Sequence, residues 1–254
     1  MSRQLKIAMV LMVIGGLLTT LAFFMAFYTA RVQGFGTIVS EVPLDTSFAL
    51  APPNLQPTDG IAYERPWLSQ KIFYFHVPVA EASFLVFSIA ALFAVLFLLR
   101  KDKKYDTRSR IAMETAFVFV VATMITGVLW TRASWGVWWD WEPRLTTYFI
   151  MMVLMVAYFV VRNSVGDEER AATYAAVFCI IAWVDAPLSF IITRLIPSSH
   201  PVVFRSGMDT TNLIPFIIAQ LGMLMIGYAI YVLRATEEDM RERLDILKEG
   251  LEDY

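Results

Sequence analysis

Apolar runs about as long as a bilayer is thick alternate with short polar stretches along almost the whole chain. Six of them, at about 7–31, 78–99, 111–132, 144–161, 171–193 and 212–233, are apolar for roughly 17–25 residues, the length that crosses ~30 Å of hydrocarbon as a helix. Lipid offers no partners to open backbone groups, so each run must be helical. The pattern predicts an all-α, polytopic integral membrane protein with six transmembrane helices in a single membrane domain. The first run follows Arg3 and Lys6 and exceeds the core of a cleaved leader, so it reads as a retained helix.

The polar intervals differ in kind. Residues 32–77 form a first outer loop with five of the eleven prolines (Pro43, Pro52, Pro53, Pro57 and Pro66), so it is not one regular helix. A loop of this length is either a functional cover or disordered. The tail 234–254 sets Leu244, Leu247 and Leu251 at helical spacing among eight acids, which reads as a solvated helix or a docking face for a cytoplasmic partner.

Charge orients the bundle. The segment 100–110 holds six basic and two acidic residues, and the positive-inside rule puts it in the cytoplasm. Both termini are then expected to be cytoplasmic, the chain being a multi-pass protein of the cell inner membrane. The outer face receives 32–77, 132–143 and 194–211, whereas 162–170 is charge-mixed.

Composition agrees. The chain is 57% hydrophobic, above the roughly 45–50% of soluble domains. A net charge of −2 argues against a nucleic-acid binder, whose footprint is basic. Cys179 is the sole cysteine, which excludes an internal disulfide and a Cys-x-x-Cys-His haem attachment site.

Candidate chemistry concentrates on the outer side. Five of the seven tryptophans fall between Trp130 and Trp141. Were 135–142 helical, Trp135, Trp138, Trp139 and Glu142 would share one face and make a single aromatic plane. Gly136 permits close approach, and Pro143 suits the first turn of the fourth span. An ordinary aromatic belt is the competing reading, but a belt spreads its rings over many helix ends. A platform for a large planar hydrophobic ligand fits the concentration better.

The only two histidines, His76 and His200, are both expected at this rim and both stand near prolines. His76 is placed just before a second span opened by Pro78. Neutral imidazole ligates iron, and two imidazoles on either side of a porphyrin lying on a tryptophan shelf make a complete haem site. Arg132, Arg144, Arg194 and Arg205 sit at or near outer span ends, where a guanidinium either snorkels or binds a carboxylate such as a haem propionate. Arg132 and Arg144 are the preferred propionate partners. Among acids in or near the spans (Glu81, Glu114, Asp185), Asp185 is the best supporting candidate.

The run Trp135-Gly-Val-Trp-Trp-Asp-Trp-Glu-Pro-Arg-Leu-Thr146, with Phe-His-Val-Pro before the second span and His-Pro in the third outer loop, resembles the cytochrome c maturation protein C family over essentially the whole chain. The resemblance implies that haem b is held on the periplasmic or extracellular face by the tryptophan-rich segment, with Trp135, Trp138, Trp139 and Trp141 as platform. His76 and His200 would be the axial ligands of the haem iron. It further implies transfer to a membrane-anchored periplasmic haem chaperone, and association with an ABC-type haem-handling complex and a small single-span membrane partner. The reading is of a carrier rather than an enzyme. A haem lyase acting directly on apocytochrome c, or a permease subunit of a haem or solute exporter, are the alternatives. Two positions depart from the family pattern: Glu142 stands where Asp is usual, and Glu81 where a tryptophan is expected.

Overall fold

The computed structural model describes residues 3–28, 67–196, 200 and 210–252. They form six helices, α1 (Arg3–Tyr28), α2 (Trp67–Arg100), α3 (Lys103–Trp135), α4 (Pro143–Ser164), α5 (Glu168–Leu195) and α6 (Thr210–Glu252). All six are long and apolar enough to cross a membrane. The fold is all-α, with six spans. An even number of crossings returns the chain to its starting side, so the links α1–α2, α3–α4 and α5–α6 share one end of the bundle. The links α2–α3 and α4–α5 share the other end with both termini.

Two helices outrun their apolar cores. α2 begins at Trp67 rather than near 78, with Pro78 inside it, so His76 lies within the helix and not before it. Pro78 removes one backbone donor, and in a membrane bundle neighbouring groups make such a loss tolerable. α6 likewise continues past the apolar run to Glu252. A bilayer fixes the length of the apolar stretch, not of the helix that contains it. The five prolines of the first loop, the residues flanking His200 and Arg205 lie outside the described residues.

The helices pack as antiparallel pairs, α1 with α6, α2 with α3 and α4 with α5, and α2 also meets α5 and α6. Small side chains make the approach close: Ala90, Ala94, Ala112, Ala116, Ala175 and Ala182 are fully buried between helices. Hydroxyls add cross-helix bonds, Ser109 to the Ala90 carbonyl at 2.9 Å and Trp183 Nε1 to Ser88 at 3.0 Å.

Gly15 and Gly222 are the tightest point between α1 and α6. A Cβ on Gly222 would stand 2.5 Å from Thr19 Oγ1 and 2.8 Å from the Gly15 carbonyl. Gly222→Ala is expected to push α1 outward and cost about 1–3 kcal/mol, the usual range for overpacking. A lowered thermal midpoint of the detergent-solubilised protein, against an unchanged one for Gly16→Ala with nothing within 4 Å, checks this.

The terminal end is held by charge. Arg162 of α4 pairs with Asp106 of α3 through two bonds of 2.7 and 2.5 Å. Arg108 grips Asp239 of α6 through two bonds of 2.8 Å, and Arg110 reaches both Glu114 and Glu238.

Candidate functional site

At the opposite end, α3 ends where Gly136 takes a left-handed φ of 76° and returns its N–H to the Arg132 carbonyl at 3.1 Å. Residues 136–142 are non-helical, and α4 restarts at Pro143 behind Glu142. The expected helix over 135–142, and with it the single aromatic plane, is therefore not formed. A left-handed glycine and a proline at the next helix start bracket the segment, and each breaks helical continuity.

The indoles instead form two edge-on groups. Trp130 and Trp135 meet at 5.2 Å and 78°, with the His200 ring 5.7 Å from Trp130 and 6.3 Å from Trp135. Trp139 and Trp141 meet at 5.6 Å and 82°, both against Phe149. Trp138 and Trp141 are largely exposed, at 60% and 68%.

Between these groups lies a cavity with about 530 Å³ of empty space, mouth included, lined among others by His76, Gly127, Trp130, Trp139, Arg144 and His200. Each comes from a different stretch: α2 gives His76, α3 gives Gly127 and Trp130, the link gives Trp139, α4 gives Arg144, and the α5–α6 connection gives His200. Of the sequence-predicted residues, His76, His200, Trp139 and Arg144 thus line one space. Trp135 touches it through His200. Arg132 turns back to the Gly136 carbonyl and lies 5.5 Å from the Trp138 ring centre, which shapes the turn rather than lining the cavity.

His76 is half-buried, and its surroundings fix its proton. Its Nδ1 lies 2.9 Å from Thr126 Oγ1. That hydroxyl has its own-helix carbonyls as acceptors, Ala122 at 2.8 Å and Thr123 at 3.1 Å, and its single proton goes to the nearer. Toward the imidazole it therefore accepts, so Nδ1 carries the hydrogen and Nε2 keeps a lone pair. This is the tautomer a metal needs from an imidazole, with the second nitrogen anchored behind it. A Cβ at Gly127 would stand 3.1 Å from His76 Cε1, so the α2–α3 approach at the ring depends on glycine.

Thr126→Val keeps the shape and removes the acceptor. Were His76 to ligate haem iron, as the sequence resemblance implies, loss of such an outer-shell partner would lower haem affinity by about 10–100-fold. A haem titration of the purified variant checks it, with Thr126→Ser restoring affinity.

Glu142 is buried and caps α4, its Oε2 accepting from the amides of Arg144 and Leu145 at 3.0 and 3.1 Å. The same oxygen lies 3.8 Å from His200 Nδ1. A carboxylate fixed by a helix N-terminus beside Nδ1 favours a proton on that nitrogen and leaves Nε2 as the basic one. Ser134 Oγ, Trp139 Nε1 and Thr146 Oγ1 are buried without hydrogen-bond partners among the described residues. Unmet polar atoms of this kind cost about 1–3 kcal/mol each, and of the three residues Trp139 lines the cavity.

The heme exporter protein C family description matches residues 24–249, most of the chain. The chain belongs to the heme exporter protein C family. Heme exporter protein C of Bradyrhizobium diazoefficiens is 26% identical over 183 residues, covering 70% of this chain and 70% of its own length. That of Paracoccus denitrificans is 25% identical over 183 residues, 70% of this chain and 76% of its own. That of Rhodobacter capsulatus is 28% identical over 119 residues, 47% and 49% respectively.

Thr126, Gly127 and the capping role of Glu142 were not among the residues to which the sequence pointed. A threonine-glycine pair in a membrane span was the available signal: a hydroxyl beside a bare patch of helix suits a polar ring on a neighbour. The cap was readable too, as an acid directly before proline at a helix start.

Proposed function

We propose that this cavity binds haem as cargo, with His76 and His200 as the two axial ligands of its iron. The observation that carries the reading is that the chain's only two histidines line one cavity together with Trp130, Trp139 and Arg144. No group of three or more His, Cys, Asp or Glu capable of holding a metal occurs among the described residues. Two imidazoles alone suit a metal that brings four nitrogens of its own, which is what a porphyrin supplies. The indoles offer apolar faces and edges to the macrocycle, and Trp139 Nε1 and the Arg144 guanidinium offer donors to its carboxylates.

The chain's work on this reading is to bind, orient and release. The site end faces the periplasm or extracellular side, with both termini in the cytoplasm, as the basic segment 100–110 favours. Haem b is received there and handed to a membrane-anchored periplasmic haem chaperone during c-type cytochrome maturation. The protein acts as a carrier in the inner membrane, within an ABC-type haem-handling complex and beside a small single-span partner. The family's name, heme exporter protein C, supports haem as the cargo.

An absorption spectrum of the purified protein with added haem tests the reading. The expected result is a low-spin, six-coordinate spectrum in the native protein that is absent from the His76→Ala/His200→Ala variant. An unchanged spectrum in that variant removes the site, and photocrosslinking from Trp141 to the chaperone tests the transfer step separately.

A further inference from the structure

The face of α6 that α1 covers continues, uncovered, beyond the bundle. Gly222 marks the centre of the α1 contact. Met240 is eighteen residues further on, five full helical turns, and so lies on the same line. Met240, Leu244, Leu247 and Leu251 follow at spacings of four, three and four and fall within about 60° of one another at 100° per residue. All four are exposed, from 49% at Met240 to 76% at Leu251. At the terminal end the first turns of α1, Gln4 and Ile7, line a cavity with Val232 and Ala235 of α6. The described part of α1 thus reaches the level of Ala235 and leaves the seam below it bare.

The seam cannot turn inward. Asp239 and Glu238 hold α3 through Arg108 and Arg110, on the side of α6 away from the leucines. Nor does α6 break to lay the seam on lipid. It is one unbroken helix from Thr210 to Glu252, so the stretch after Ala235 carries the leucines about 25 Å along the span's own axis, away from the bilayer.

Charge selects the occupant. Arg241 and Lys248 stand on one edge of the seam and Arg243 on the other, while Glu242, Asp245 and Glu249 lie behind. Glu237 stands on the same edge as Arg241 and Lys248 and pairs with Arg241 at 2.6 Å, and Lys248 pairs with Asp245 at 3.6 Å; these are exposed intrahelical contacts, and with three cations against one acid the two edges keep a net positive charge. A second copy of α6 would set basic edge against basic edge, the arrangement that disfavours pairing in coiled coils.

We propose that the Met240–Leu251 seam of α6 is a docking site for an amphipathic helix of a partner protein whose own apolar stripe is edged by acidic residues. Three turns of seam match a helix of about two heptads, too short to be stable alone, so the occupant folds or docks as part of a larger protein. The proposal is independent of the cargo at the other end of the bundle.

The test uses the full chain in nanodiscs of zwitterionic lipid and two fluorescent two-heptad peptides. Both have leucine at the seam positions; one carries glutamate at both edges and the other lysine. The glutamate peptide is expected to bind at least about tenfold more tightly than the lysine peptide, a difference of ~1.4 kcal/mol. Leu247→Glu is expected to abolish binding, and Arg241→Glu/Lys248→Glu to reverse the preference. These residues are exposed and distant from the haem cavity, so haem titration of each variant serves as the folding control. Equal binding of both peptides, or of neither, overturns the proposal. So does concentration-dependent pairing of α6 tails read by spin labels at residue 247, which makes the occupant a second copy. Association of the tail with anionic vesicles in place of the glutamate peptide assigns the seam to lipid and overturns it equally.

Discussion

His76→Gly is expected to convert haem held by the purified protein from a low-spin six-coordinate to a high-spin five-coordinate state. Affinity is expected to fall by more than the about 10–100-fold assigned to an outer-shell partner, because a first-shell nitrogen is lost. The geometry makes the variant informative. Glycine at 76 opens a space the size of the missing ring beside Gly127, and Thr126 Oγ1 remains to accept from whatever enters it. Added imidazole is therefore expected to restore the six-coordinate spectrum in His76→Gly, with its N–H on Thr126 and its free nitrogen toward iron. Rescue that also requires Thr126, failing in His76→Gly/Thr126→Val, ties the ligand position to this pocket. An unaltered spectrum in His76→Gly without imidazole contradicts the assignment.

Asp106→Ala is expected to destabilise the bundle by about 3–5 kcal/mol, the range for breaking a buried ion pair from one side. Asp106 is 8% exposed and receives both Arg162 nitrogens, so its loss strands a guanidinium at the α3–α4 contact. The pair as a whole is another matter. Replacing both members, Asp106→Leu with Arg162→Met, is expected to recover most of the loss, since apolar groups of similar volume avoid the desolvation cost. Thermal midpoints of the three proteins in one detergent check both statements. Equal destabilisation in the single and double variants means packing, not charge, is what Arg162 contributes.

The sequence carried more of the site than of the path between its parts. Six apolar runs sufficed for six spans because hydrocarbon thickness sets their length. That rule is silent on helices that extend into water, so the start of α2 at Trp67 was not readable from hydropathy, whereas the leucine spacing of the tail did read as the helix that carries α6 to Glu252. Pro78 misled for a related reason: a proline ends helices in water more reliably than in a packed bundle.

The histidines and tryptophans drew attention by scarcity and clustering. Their arrangement did not follow, because ring geometry depends on the left-handed turn at Gly136 and the cap at Glu142. Trp130 sits in the same cluster yet was not singled out as platform. It lies on α3 six residues before the break at Gly136, and the His200 ring is nearer to it, at 5.7 Å, than to Trp135, at 6.3 Å. Thr126 escaped altogether, since a threonine bonding back into its own helix looks ordinary until an imidazole is seen against it.

Because the chain holds only two histidines, labelling them with nitrogen-15 marks His76 and His200 and nothing else. Pulsed electron paramagnetic resonance of the ferric haem-loaded protein then counts the labelled nitrogens bound to iron. Two strongly coupled nitrogen-15 nuclei are the predicted result, falling to one in either His76→Ala or His200→Ala. A single coupling in the native protein, or none, contradicts convergence of the two imidazoles on one iron.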